Sequence, residues 1–151
     1  MKTLVIGIGN LLRSDDGVGL HIIEALRKEN VNDNVDLCEA LSGLDIIDSI
    51  KGYDRIIMVD AIQRGGIPGQ VYQLTIENIK NSQTVHSFST HLNMDFLTIL
   101  ELGKRLFPGK ITEDIIIIGV EAEDIMTISD KCTARVDKAI PEAVVIIQSL
   151  L

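Results

Sequence analysis

A chain of 151 residues, 46% apolar and 24% charged, has the composition of a folded globular domain rather than a disordered segment. Its formal net charge of −8, with no run of Lys or Arg, argues against nucleic acid, whose phosphates need clustered cations. No apolar stretch approaches the ~20 residues of a membrane helix, and Met1-Lys2-Thr3 leads into a strand without the marks of a cleavable leader.

The run Leu4 to Ile8, broken by Gly7 and Gly9, reads as a buried strand. A polar loop follows, then two adjacent carboxylates, Asp15 and Asp16, and a helix carrying Ile22, Ile23 and Leu26. Val35 to Cys38 reads as a second strand, and Leu44, Ile46, Ile47 and Ile50 fall on a short helix. Arg55 to Asp60 is a third strand, apolar enough to be covered on both faces. The turn Gly65-Gly66-Ile67-Pro68-Gly69 leads to Gln70–Thr75, a less uniform strand. Joined without a helix, that strand is expected at an edge and antiparallel to its neighbour. Residues 80–90 are polar and irregular, His91 to Phe107 has helical spacing, and Asp114 to Val120 is another apolar strand. Thr133 is placed to cap a final helix with Val136, Ile140, Val144 and Ile147 facing inward. The order βαβαββαβα predicts one α/β domain over residues 1–151. It is a three-layer αβα sandwich on a mostly parallel five-stranded sheet with one antiparallel strand.

Open α/β sheets hold their ligands at the carboxyl ends of the strands. Gly7-Ile8-Gly9 begins a dinucleotide fingerprint, but Leu12 stands where its third glycine belongs, so a tight turn is the simpler use. Of the two carboxylates, Asp15 is the better candidate to cap the first helix. Asp16 is then left at the ligand edge. Asp60 leaves the third strand at the same end, either starting the turn before Gly65 or facing the crevice. If the first and third strands are neighbours, Asp16 and Asp60 open onto one crevice. His91 stands at a helix amino terminus, where the dipole favours a neutral, metal-coordinating imidazole. His21 and His86 read as surface or satisfied residues. Two carboxylates and an imidazole form a mixed oxygen and nitrogen site for a divalent transition ion. Other nucleophiles are poorly supported. Ser87 and Ser89 lack a Gly-x-Ser-x-Gly elbow, and Cys38 and Cys132 form no Cys-x-x-Cys pair and are expected to be reduced.

GIGNLLRSDDGVG, IIMVDA, PGQVYQL, SFSTHLNMDFL and IIIIGVEAED resemble, in order and over essentially the whole chain, the motifs of the hydrogenase maturation endopeptidases. These proteases trim the carboxyl terminus of NiFe-hydrogenase large subunits. The resemblance implies a phosphorylase/hydrolase-like αβα fold and an aspartic-type, metal-dependent endopeptidase. It also implies that Asp16, Asp60 and His91 are both the catalytic and the nickel-contacting residues. The implied substrate is a large-subunit precursor that brings its own cysteine-bound nickel, with no organic cofactor. A cytoplasmic monomer that meets neither nucleic acid nor membrane is the accompanying expectation. The stretch Cys38-Glu39-Ala40-Leu41-Ser42-Gly43 departs from the family's Asp-Gly-Gly-Thr pattern, with Glu39 one residue out of place, so Glu39 stays outside the core site. Nickel either activates the scissile carbonyl or a water, or only docks the substrate while a carboxylate acts as general base. Backbone amides after Gly9 are candidates for an oxyanion hole. The competing readings are a Rossmann-like nucleotide-binding module and another metal-dependent hydrolase on the same fold.

Overall fold

The computed structural model describes residues 1–41, 43–81 and 96–151. Five strands form one sheet: β1 (Thr3–Ile8), β2 (Val35–Ala40), β3 (Arg55–Ile62), β4 (Val71–Thr75) and β5 (Ile115–Glu121). Their spatial order is β2-β1-β3-β5-β4. The apolar runs β1, β3 and β5 take the three central places, where both faces are covered. The mixed sequences of β2 and β4 take the edges. β1 is parallel to β2 and β3, and β3 is parallel to β5. β4 is the antiparallel strand, as expected, but its partner is β5 rather than the preceding β3.

Alternating side chains divide the core in two. Val5, Ile57, Val59, Ile118 and Val120 pack under α1 (Val18–Lys28) and α5 (Ala134–Leu150). Leu4, Ile6, Ile56, Met58 and Ile117 pack under α2 (Gly43–Ser49) and α4 (Phe96–Leu106) on the other face. One helix was not foreseen, α3 (Ile76–Asn81). It is started by a reciprocal cap: the Thr75 amide donates to Asn78 Oδ1 (2.8 Å) and the Asn78 amide to Thr75 Oγ1 (3.3 Å). That is the capping-box arrangement with Asn in place of Glu or Gln. The expected helix from His91 is described from Phe96 onward, so its first five residues lie outside the described residues.

Two features of this scaffold position a site. The chain leaves α4 at the amino edge of the sheet. There the Gly52 amide donates to the Lys110 carbonyl (2.9 Å) and Thr112 Oγ1 donates to the Asp54 carbonyl (2.8 Å), both just ahead of β3. A helix of 11 residues is about 16 Å long, so Phe96, its first residue, lies toward the carboxyl edge. The second feature is the seat of α1. A Cβ on Gly19 would stand 2.5 Å from the Val59 carbonyl oxygen and 2.7 Å from that of Ile8. The first turn of α1 therefore rests backbone to backbone on both β1 and β3.

Replacing Gly19 by Ala should cost about 1–3 kcal/mol through overpacking, lowering the melting temperature by several degrees. Gly52→Ala, at φ +81° but with nothing within 4 Å, should cost only its backbone strain, about 1 kcal/mol. Thermal melts by circular dichroism test this, and an unchanged melting temperature in Gly19→Ala would contradict the packing account.

Candidate active site at the carboxyl edge

The loop between β1 and α1 is a closed hydrogen-bonded unit. Gly9 turns at φ +144°, where a side chain would run into the Asp16 carbonyl oxygen. That carbonyl accepts from the Asn10 amide (3.2 Å), and the Asp16 amide donates to the Arg13 carbonyl (3.1 Å). Arg13 N donates to the Asn10 carbonyl (3.2 Å) and Leu12 N to Asn10 Oδ1 (2.9 Å). The amides of Asn10, Leu12 and Arg13 are thus used inside the loop, which corrects their reading as oxyanion-hole donors. Ser14–Gly17 then forms a 3-10 turn that runs straight into α1 and packs against β3.

Among the described residues, four carboxylates are buried at this edge: Asp15 and Asp16 (both 0% exposed), Asp60 (2%) and Glu121 (3%). Two of them are fastened by amides. Asp15 Oδ2 accepts from Glu123 N and Asp124 N (both 2.9 Å), and Oδ1 accepts from Thr133 N (2.7 Å). The Thr133 hydroxyl lies 3.0 and 2.9 Å from the two oxygens. Asp15 does not cap α1, whose start has no side-chain cap because the 3-10 turn feeds it directly. It grips the amino end of α5 instead. Thr133 does hold the N-cap position of α5, with its hydroxyl turned to Asp15 rather than to its own helix. Glu121, which the sequence had not singled out, closes the turn after β3: its Oε1 accepts from Arg64 N (3.0 Å) and Gly66 N (2.9 Å).

Asp16 and Asp60 are the other two. β1 and β3 are neighbours in register from Thr3↔Arg55 to Gly7↔Val59, which meets the condition for a shared crevice. Asp60 lies inside β3, not at its end, paired with Gly119, because the strand continues through Ala61 and Ile62. By alternation it shares the face of Ile56 and Met58, under α2 and α4. The structure therefore brings the Asp16 turn and Asp60 to one edge. His91, His86, Ser87 and Ser89 lie outside the described residues. Among the described residues no group of three His, Cys, Asp or Glu could hold a metal ion. Glu39 forms an ion pair with Arg27 at the surface. His21, expected as a surface or satisfied residue, is partly buried on α1, and its Nε2 finds no hydrogen-bond partner among the described residues.

The model of the hydrogenase maturation protease family matches residues 20–150. The chain belongs to that family. It is 30% identical over 145 residues to the hydrogenase expression/formation protein HupD of Rhizobium leguminosarum, covering 95% of this chain and 70% of that protein. To the hydrogenase 2 maturation protease of Escherichia coli it is 25% identical over 129 residues, covering 83% and 76%. The solved structure of the E. coli hydrogenase maturating endopeptidase HybD superposes with a TM-score of 0.85 at 25% identity, covering 100% of this chain and 92% of that one. The NiFe-hydrogenase maturation protease HybD of Thermococcus kodakarensis gives 0.80 at 25% identity, covering 99% of both.

The protease keeps both cysteines as free thiols. The Cys132 thiol is pushed up to about 12, first by burial and then by the negative charges of Asp15 and Asp137, so it stays protonated at neutral pH. A thiol nucleophile needs the opposite shift. In the folded protease Cys132 should alkylate with iodoacetamide far more slowly than free cysteine, with a rate still rising above pH 10. A plateau near pH 8.5 would show an ordinary thiol.

Proposed function

We propose that this protease removes the carboxyl-terminal extension of a NiFe-hydrogenase large-subunit precursor, and that Asp16, Asp60 and His91 contact the nickel the precursor carries. The observation that carries the reading is the junction of β1 and β3. There α1 rests directly on the two strands, so the Asp16 turn and Asp60 share the carboxyl edge. Two buried carboxylates supply the oxygen half of a mixed donor set, and a His supplies the nitrogen that a borderline divalent ion such as nickel accepts. His91 stands five residues before Phe96, which lies toward the same edge. Five extended residues reach up to about 17 Å.

The metal in this reading is cargo of the substrate. Contact with it ties cleavage to nickel loading, and an unloaded precursor offers the three side chains nothing to grip. Held by Asp16, Asp60 and His91 beside the scissile bond, nickel would supply Lewis-acid stabilisation of charge on the carbonyl oxygen. The protein's part is to hold the nickel-bearing segment in register and to exclude water on the apolar side, where Met58 and Ile62 flank Asp60 along β3. The two free thiols suit a reducing compartment, and the cytoplasm is the setting we infer for the reaction.

Purified precursor, nickel-loaded or nickel-free, tests the proposal with the variants Asp16→Asn, Asp60→Asn and His91→Gln. Only loaded precursor should be cut. Each variant should lose more than the roughly 10–100-fold that removal of a supporting partner costs at a metal site, while staying folded by circular dichroism. Full cleavage by all three variants would overturn the assignment, and equal cleavage of nickel-free precursor would remove the role of the metal.

A further inference from the structure

Adjacent residues on a 3-10 turn point about 120° apart, because the turn has three residues. Fixing the direction of one side chain therefore fixes that of the next. Asp15 and Asp16 are such neighbours in the turn Ser14–Gly17. The Asp15 carboxylate is completely buried, and three backbone amides and one hydroxyl from the segment 123–133 converge on it. We infer that Asp15 is a positioning residue, whose grip on the amino end of α5 and the β5–α5 loop holds Asp16 turned toward β3. The inference rests on the reading of Asp16 as a residue that contacts the substrate's nickel.

Backbone bonds already tie the turn to the β5–α5 loop. Ser14 N donates to the Ser129 carbonyl (2.9 Å), Asp15 N to that of Asp124 (3.0 Å), and Ser129 N to that of Leu12 (3.0 Å). Ser14 meanwhile sits at φ +51°, a left-handed conformation that costs a non-glycine residue about 1–2 kcal/mol. A strained turn persists only when its surroundings over-determine it. The Asp15 carboxylate adds to that constraint: it takes the Glu123 and Asp124 amides of the same loop and reaches on to Thr133 at the start of α5. Its chemistry is specific. Both oxygens face backbone N–H groups, Oδ1 at Thr133 and Oδ2 at Glu123 and Asp124. An Asn in this place has one acceptor and one NH2 group, so whichever way it turns a donor faces a donor. The substitution keeps the volume and removes the grip on one side.

The test uses nickel-loaded precursor at a temperature where every variant is more than nine-tenths folded by circular dichroism. A misplacement of about 1 Å costs on the order of 100-fold in rate. Asp15→Asn should therefore lower kcat by about 10–100-fold, with KM for the much larger precursor within about threefold. Thr133→Val, which keeps the amide but loses the hydroxyl, should give a smaller fall, and Thr133→Ser should restore the wild-type kcat. A merely structural fastening would lower the melting temperature and leave kcat of the folded fraction unchanged in Asp15→Asn, which would overturn the inference. If Asp15→Asn does not fold, the Thr133 pair decides: loss in Val with rescue in Ser supports the inference, and wild-type kcat in Val overturns it. Asp16→Asn in the same assay separates the two levels. An inactive Asp16→Asn beside a fully active Asp15→Asn ends the positioning role alone, whereas an active Asp16→Asn ends the reading of the site and the inference with it.

Discussion

Helices usually sit on sheets through a layer of side chains, but at Gly7, Gly9 and Gly19 that layer is missing. The helix start, the loop before it and the ends of β1 and β3 meet there backbone to backbone. A Cβ at any of the three would come within 2.6 Å of a backbone oxygen. Everything at the carboxyl edge depends on this contact. It sets the height of the 3-10 turn above the sheet, brings that turn against β3, and leaves Asp15 within reach of α5. The glycines that suggest a nucleotide loop are accounted for by this close approach.

Burying carboxylates at one sheet edge, four of them among the described residues, is expensive unless each is given hydrogen-bond donors or a cation. The protease divides them by what surrounds them. Asp15 and Glu121 take backbone amides, from the β5–α5 loop and α5 in one case and from the turn after β3 in the other. Both act as fasteners, and both tie together segments far apart in the chain. Asp16 and Asp60 are the carboxylates of the β1–β3 junction and the ones read as contacting the substrate's nickel.

Much of the fold was legible because burial writes itself into composition. The continuous Ile and Val runs of β1, β3 and β5 fit only a central place in a sheet, and the mixed pattern of β4 marked an edge. The partner of β4 was not legible, since nothing local shows that β5, which comes later in the chain, inserts beside β3. α3 was missed because its start signal, Thr75 with Asn78, uses Asn where the usual capping box has an acid or amide one methylene longer. That the Asp16 turn and Asp60 share one edge was legible from the apolar runs that precede them, given that β1 and β3 are neighbours. The role of Asp15 was misread for a physical reason. Its donors lie more than 100 residues away, at Glu123, Asp124 and Thr133, and a local reading sees only the helix that follows.

Contact between the carboxyl edge of this sheet and the substrate's nickel would be visible at the metal itself. Nickel K-edge absorption on loaded precursor, alone and bound to the protease under conditions where cleavage is stalled, tests it most directly. Added oxygen and nitrogen scattering at about 2.0–2.2 Å is expected in the complex, lost when Asp16 and Asp60 are both replaced by Asn. A nickel spectrum identical with and without the wild-type protease would contradict it.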